Sequence, residues 1–265
     1  RPIKTYLFGA IMKICVLSSG SKGNVTYMEA NGKKFLLDAG RNYKYISDKL
    51  KEIDVDIKSI DYIIISHDHN DHISALKTLI SKTHATVIIS LKQFMNIDDL
   101  KNYEHIITIE DELELYGIKI LSIHSSHDAI DSRNFIFDDG HAKMAYITDT
   151  GYVNIKYFKY LRNLDVYLFE SNHDIELLQH GPYPAWLKMR VLSDEGHLSN
   201  KLAAFYLSKF IGTNTKKIIL IHLSETNNLE SIALETINNT FLDKGINFNN
   251  IICAKQEEKT EVIEV

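Results

Sequence analysis

Ser66-His67-Asp68-His69-Asn70-Asp71-His72 follows directly on the run Tyr62-Ile63-Ile64-Ile65. A short, β-branched apolar run reads as a buried strand, and in open α/β sheets ligands gather where strands end. His67 and His69 alternate along an extended strand end, so both imidazoles can face one cation. Asp71 and His72 then turn with the chain toward a neighbouring position. Imidazoles crowded together without a metal would leave buried donors and acceptors unpaired. The stretch therefore predicts a metal site, one that can feed two adjacent cations.

Working outward, Ile73, Leu76, Leu79 and Ile80 recur at helical spacing, which places the cluster between a strand and a helix. Asp71 and His72 then sit near a helix N-terminus, where the dipole favours a carboxylate. Upstream, residues 13–17, 24–29 and 34–37 read as a meander of three strands. The small polar loop 18–24 between the first two has glycines that let backbone approach a ligand, and hydroxyls and amides suited to an anion. A plain hairpin turn is the alternative reading of the same loop. Asp38 closes the strand 34–37, and residues 45–53 carry helical spacing. Further strands are expected at 86–89, 106–109, 118–123, 134–137 and 143–148, grouped as a second β-rich half. Strands at 166–169, 218–221 and 251–253 alternate with helices at 157–161, 184–192, 200–211 and 229–242.

The 265 residues, 45% apolar and 25% charged, are ordinary for a globular α/β chain. A net charge of −5 offers a polyanion no global attraction, so nucleic-acid binding requires a local basic patch or bound cations. Cys15 and Cys253 lie in apolar runs and form no metal-spacing motif; they read as buried free thiols of a reducing cytoplasm. No apolar run is long enough to span a bilayer, so no membrane association is expected. Residues 1–11 read as an upstream extension and 12–265 as one domain, since Met12 opens a strand.

The pattern His67-x-His69-x-Asp71-His72 resembles the signature of the metallo-β-lactamase superfamily. That resemblance implies an α/β (α+β) fold, a four-layer αββα sandwich with a two-metal site at one edge of its sheets. His72 is similar to the histidine that hydrolases of thioesters and phosphodiesters carry and lactamases proper lack. The resemblance implies a seven-ligand set of His67, His69, Asp71, His72, His127, Asp149 and His222, with Asp149 shared between the metals and Asp38 as an orienting residue. Of the two histidines in Ile123-His124-Ser125-Ser126-His127-Asp128-Ala129, His127 is taken as the ligand and His124 as a supporting or core residue. His197, in Glu195-Gly196-His197-Leu198-Ser199-Asn200, resembles a histidine of tRNA 3′-processing nucleases that protonates the leaving oxygen.

Several spaced motifs resemble one branch, the WalJ (YycJ) exonucleases: the loop 18–24, Glu170-Ser171-Asn172-His173-Asp174, Gly181-Pro182-Tyr183-Pro184, Gly196-His197-Leu198-Ser199-Asn200 and the stretch from His222 to Asn228. The resemblance implies 5′-to-3′ exonuclease action on double-stranded DNA in bacterial DNA repair, through water activated at two divalent cations. Zinc or manganese suits the mixed ligands, and iron also fits. Asp71 and His197 are the expected catalytic residues, and no organic cofactor is implied. Ser21, Asn24, Ser199 and Asn200 are candidates for phosphate contacts, and His173 for support of the site. Lys188 and Arg190 read either as contacts to a polymer backbone or as a solvated helix face. DNA is expected in preference to RNA. The alternative from another reaction class is a glyoxalase-II-like thioester hydrolase.

Overall fold

The computed structural model describes residues 11–265, so the expected extension at 1–11 lies outside the described residues apart from Ile11. The strands are β1 (Lys13–Ser18), β2 (Val25–Ala30), β3 (Lys33–Leu37), β4 (Tyr62–Ile64), β5 (Thr86–Ile89), β6 (Ile106–Thr108), β7 (Glu112–Leu115), β8 (Ile118–His124), β9 (Arg133–Asp138), β10 (Lys143–Ile147), β11 (Val166–Glu170), β12 (Lys217–Ile221), β13 (Ile251–Cys253) and β14 (Ile263–Glu264). They form two 7-stranded sheets, ordered β14-β1-β2-β3-β4-β5-β6 and β13-β12-β11-β10-β9-β8-β7. β1, β2 and β3 are the expected antiparallel meander, and β3 through β6 continue in parallel. In the second sheet β7 to β10 are antiparallel and β10 to β13 parallel.

One grouping differs from expectation. Residues 86–89 and 106–108 belong to the first sheet, beside β4, and not to the second β-rich half. Helices Leu76–Thr83 and Leu91–Asn96 carry the chain back between these strands, and a returning crossover delivers a parallel neighbour. Apolar pattern marks a strand but not the strand it pairs with.

The layers follow from period-two alternation. Val166 and Leu168 of β11, with Ile219 and Ile221 of β12, point between the sheets to meet Ile14, Val16, Phe35, Leu37 and Ile64. Cys15, Leu17, Leu36 and Ile63 face the other way, under helices Tyr43–Lys51 and Leu76–Thr83. Tyr167, Phe169, Ile218 and Leu220 meet helices Asn200–Phe210 and Glu230–Asp243 on the far side. The result is the expected helix-sheet-sheet-helix stack. Each fully buried Leu, Ile or Phe contributes about 1.5–3 kcal/mol to holding the layers together. Both cysteines are free and buried. No helix among the described residues is long and apolar enough to cross a membrane.

Strands β3, β4, β10, β11 and β12 all end at one edge of the stack. Just past three of those ends stand Asp38, Asp149 and His222, with φ of 61°, 47° and 57°. Non-glycine residues in this left-handed region cost about 1 to 3 kcal/mol each, and such strain gathers at functional sites. Gly40 serves the same edge, because a Cβ there would overlap the carbonyl of Asp71.

Candidate metal centre

The strand ends bring together two groups of potential ligands. His67, His69 and His127 form one; Asp71, His72 and His222 form the other, with the ligand atoms of each group lying within 4.8 Å of one another. Asp149 lies between them. Its Oδ2 is 3.2 Å from His72 Nε2, and its Oδ1 is 3.7 Å from His127 Nε2 and 3.4 Å from His222 Nδ1. All seven expected ligands are thus at one place, supplied by the ends of β4 and β12, the short helix Asn70–Ile73, the loop after β8 and the turn after β10.

Hydrogen bonds made behind the rings decide which nitrogen faces inward. Asp38 is wholly buried and accepts from Ser66 N (2.8 Å), Ser66 Oγ (2.9 Å), Tyr146 Oη (2.8 Å) and His72 Nδ1 (2.8 Å). Ser66 Oγ, its proton committed to Asp38, accepts from His67 Nδ1 at 2.9 Å. The carbonyls of Glu195 and Gly196 hold His127 Nδ1 at 3.2 and 3.3 Å. Metal-ligating histidines characteristically donate their other N–H to a carboxylate or carbonyl in this way.

These bonds leave lone pairs pointing at each other. His69 Nδ1 and His127 Nε2 are 3.2 Å apart, and Nε2 of both His67 and His222 is buried with no hydrogen-bond partner. Tetrahedral zinc with Zn–N of about 2.0–2.1 Å holds its ligand nitrogens about 3.3 Å apart. A divalent cation therefore fits the donor set, resolving contacts that would otherwise be repulsive. Burial pushes His67 well below and His127 below the ordinary imidazole range, which favours the neutral, ligating form. Burial acts the same way on His72, but the carboxylates of Asp149 and Asp38 outweigh it and raise that ring to about 10. Burial likewise opposes ionisation of Asp149, and the neighbouring His222 and His72 overcome it and hold the carboxyl well below its usual range.

Beside the two groups lies a buried carboxylate. Glu170 Oε1 accepts from His197 Nδ1 at 2.8 Å and from His222 Nδ1 at 3.0 Å. Its Oε2 takes the backbone N–H of Thr150 at 2.9 Å and of Leu198 at 3.2 Å. Burial would raise this carboxyl, but the charge and hydrogen bonds of its histidine neighbours hold it at about 2. With Nδ1 tied to Glu170, His197 keeps Nε2 for the cavity it lines. That cavity, about 250 Å³, is also bordered by Ser21, Asp71, His127, Asp149 and Tyr183.

Comparison with known proteins agrees with this geometry. The family described as "Beta-lactamase superfamily domain" matches residues 33–223. Exodeoxyribonuclease YycJ of Bacillus anthracis is 34% identical over 235 residues, covering 87% of this chain and 89% of that protein. Exodeoxyribonuclease WalJ of Streptococcus pneumoniae is 36% identical over 247 residues, 89% of this chain and 92% of that one. The chain belongs to the metallo-β-lactamase superfamily. The crystal structure of the metallo-β-lactamase fold protein YhfI from Bacillus subtilis superposes with a TM-score of 0.74 at 15% identity, over 97% of this chain and 100% of that chain, a likeness of fold. As a member of this superfamily the chain is a metal-dependent hydrolase.

Within the metallo-β-lactamase frame, other expected residues stand differently. Ser21 borders the cavity. Asn24 is buried, its Nδ2 3.0 Å from His72 Nε2, so it reaches the ligands and not open solvent. Ser199 caps helix Asn200–Phe210 by accepting from Leu202 N, and Asn200 binds Ser171 Oγ and Asn228; both are buried. Their side chains are spent on holding strand ends to a helix, and neither borders the cavity. Arg190 is exposed, pairs with Asp128 at 2.9 Å and borders the same cavity, whereas Lys188 Nζ donates to Gln179 O at 2.8 Å and does not reach it. His173 is buried with neither ring nitrogen hydrogen-bonded, so it gives the ligands no hydrogen-bonded support. His124, taken for a supporting or core histidine, is surface-exposed at the end of β8 and lies 3.5 Å from Asp131. The register of β8 turns it away from the cluster, three residues before the loop brings His127 in.

Two contributors had no role assigned from sequence. Glu170 ends the otherwise apolar strand Val166–Glu170, and a carboxylate in a fully buried strand needs partners, which was the available signal. Ser66 has no role in the sequence reading, and its part shows only once Asp38 stands behind it to take its N–H and hydroxyl.

Proposed function

We propose that this protein is a metal-dependent nuclease, a 5′-to-3′ exonuclease acting on double-stranded DNA. The observation that carries the reading is the Glu170–His197 pair, set beside two groups of metal ligands that share Asp149. His67, His69 and His127 would hold one cation and Asp71, His72 and His222 a second, with Asp149 facing both; zinc or manganese suits the ligands, and iron is compatible. Divalent cations held there supply Lewis acidity toward a phosphoryl oxygen and lower the pKa of water toward neutrality.

The chain's own groups account for the rest. Asp71 and Asp149 place carboxylate charge where cations must be fixed. Glu170 keeps the proton of His197 Nδ1 turned away from the cavity, so that Nε2 presents the proton a departing alkoxide needs. Ser21, which borders the cavity, would donate to a phosphate oxygen. A thiolate leaves without strong acid assistance, so the His197 pair weighs toward phosphodiesters. The thioester-hydrolase alternative is also not favoured by relatives that align over most of the chain and carry the exodeoxyribonuclease name.

Duplex DNA labelled at either 5′ or 3′ ends, incubated with Mn²⁺ or Zn²⁺ supplied separately, tests the proposal. The expected result is metal-dependent release of the 5′ label in the earliest products. Efficient thioester cleavage with no nucleotide released from any DNA would sink it.

A further inference from the structure

The chain is acidic overall, at −5, yet residues 152–163 (Tyr-Val-Asn-Ile-Lys-Tyr-Phe-Lys-Tyr-Leu-Arg-Asn) hold three cations and no acidic residue. The turn Ile155–Tyr157 and the helix Phe158–Leu161 sort this segment cleanly. Val153 and Leu161 are buried and Tyr157 and Phe158 pack on the core beneath the second sheet. Lys156, Lys159, Tyr160 and Arg162 are left exposed, together with Tyr152. None of the three cations makes an ion pair among the described residues, whereas Lys143 nearby is tied to Asp138 at 3.1 Å. The ammonium groups of Lys156 and Lys159 lie over the Tyr157 and Tyr160 rings, at 4.7 and 4.6 Å.

This surface connects to the metal centre. A cavity of about 130 Å³ is bordered by Ser125, Ser126, Tyr152 and Lys156. Ser126 directly precedes His127, Ser125 Oγ donates to the backbone oxygen of Asp149, and Gly151 N donates to Ser126 O. Beyond the helix, a larger cavity of about 470 Å³ is bordered by Lys119, Lys143, Lys159, Tyr160 and Arg162, with Glu112 and Asp138 as its acidic members. β10 runs from Lys143 at that end to Ile147, just before Asp149. From Lys143 to Asp149 there are six steps of about 3.3 Å, which sets about 20 Å between that cavity and the turn that carries Asp149. Successive phosphates of a B-DNA strand advance about 3.4 Å along the axis, so a duplex flank reaching from the metal centre past this strip to that cavity spans about six of them.

We infer that Lys156, Lys159 and Arg162, with the tyrosines between them, form a docking track for the phosphate backbone of the DNA flank adjoining the cleaved end. The inference rests on the nuclease reading above for its substrate. It explains how an acidic protein holds a polyanion: cations left unpaired on one strip release counterions from the backbone, while the aromatic faces offer sequence-tolerant contacts.

The test combines Lys156→Ala, Lys159→Ala and Arg162→Ala in the full-length, metal-loaded protein. A control removes the same charge elsewhere, at the exposed Lys44, Lys51 and Lys58 beside the first sheet. Binding to a fluorescent duplex blocked with phosphorothioate linkages is followed across salt concentrations, and turnover of bis(p-nitrophenyl) phosphate reports on the metal centre. The expected result for the track variant is a Kd raised roughly tenfold to a hundredfold. Its log Kd against log salt slope should be shallower by about 3, with small-substrate turnover unchanged and the control like wild type. Equal Kd and salt slope in the track variant and wild type would overturn the docking track while leaving the nuclease reading standing. Conversely, salt-dependent duplex binding that the track variant loses, in a protein that cleaves no nucleic acid, would support the track and sink the nuclease reading alone.

Discussion

His197 Nδ1 lies 2.8 Å from Glu170 Oε1, the same oxygen that takes His222 Nδ1 at 3.0 Å. One buried carboxylate thus fixes an imidazole of the second ligand group and the imidazole beside the cavity. His197→Ala should lower turnover by about 10²- to 10⁴-fold on a phosphodiester whose leaving group is an alkoxide, the usual range for losing a general acid. On a nitrophenyl ester, whose leaving group needs no proton, the loss should be much smaller. Steady-state kinetics on the two substrates, with metal content measured on the same samples, checks this; equal losses on both would refute the acid role.

Asp38 collects hydrogen bonds from Ser66, His72 and Tyr146 in a site closed to solvent. Asp38→Ala leaves those donors buried and unsatisfied, at about 1–3 kcal/mol for each that finds no water. It should also release the His72 and His67 rings from their inward orientation, weakening metal binding by roughly 10- to 100-fold, as loss of such partners does. Urea unfolding of the metal-free protein reads the first effect and a competitive metal titration the second. Asp38→Asn keeps the shape and an acceptor, so it should recover part of the stability.

His67, His69, Asp71 and His72 were legible because a strand end and one helical turn hold them within six residues. His127, Asp149 and His222 come from separate strand ends, and only the resemblance to a known pattern gathered them. Glu170 closes a strand as any polar residue can, and nothing local shows that His197 and His222 converge on it. Ser199 and Asn200 misled for the opposite reason: a Ser-Asn pair at a helix start serves equally as a phosphate contact and as a cap, and here the cap is made. Most strands are readable as short apolar runs, whereas sheet membership of β5 and β6 depends on crossovers that hydropathy does not encode. The edge strand β7 is not among the expected strands although Glu-Leu-Glu-Leu alternates, because four residues with two glutamates carry too short an apolar run to separate from the loops beside them.

The choice between His127 and His124 has a direct readout. His127 Nε2 is 3.2 Å from His69 Nδ1, while His124 stands on the surface beside Asp131. His127→Ala should lose most of the metal from the first ligand group and nearly all activity. His124→Ala should keep its metal and turn over within about twofold of wild type, as exposed substitutions away from structural features do. Metal stoichiometry by mass spectrometry on both purified variants decides it, and greater loss from His124→Ala would overturn the assignment.

His173 carries a pH dependence of its own. Burial with neither ring nitrogen bonded pushes it from the ordinary 6.5 down to about 4. The unfolded chain therefore binds a proton more readily than the folded one between those values, and stability must fall as pH drops through that window. It is fully present above about 6.5, and the loss by pH 4 is on the order of 3 kcal/mol, at 1.36 kcal/mol per unit. His173→Leu removes the titrating group at similar volume, so its stability should decline less steeply between pH 7 and 4.5. Urea unfolding of both proteins across that range, with metal removed so that ligand protonation does not add to the slope through metal release, makes the comparison. Parallel curves for the two proteins would mean that His173 is solvated or bonded in solution and contributes nothing to the acid limb.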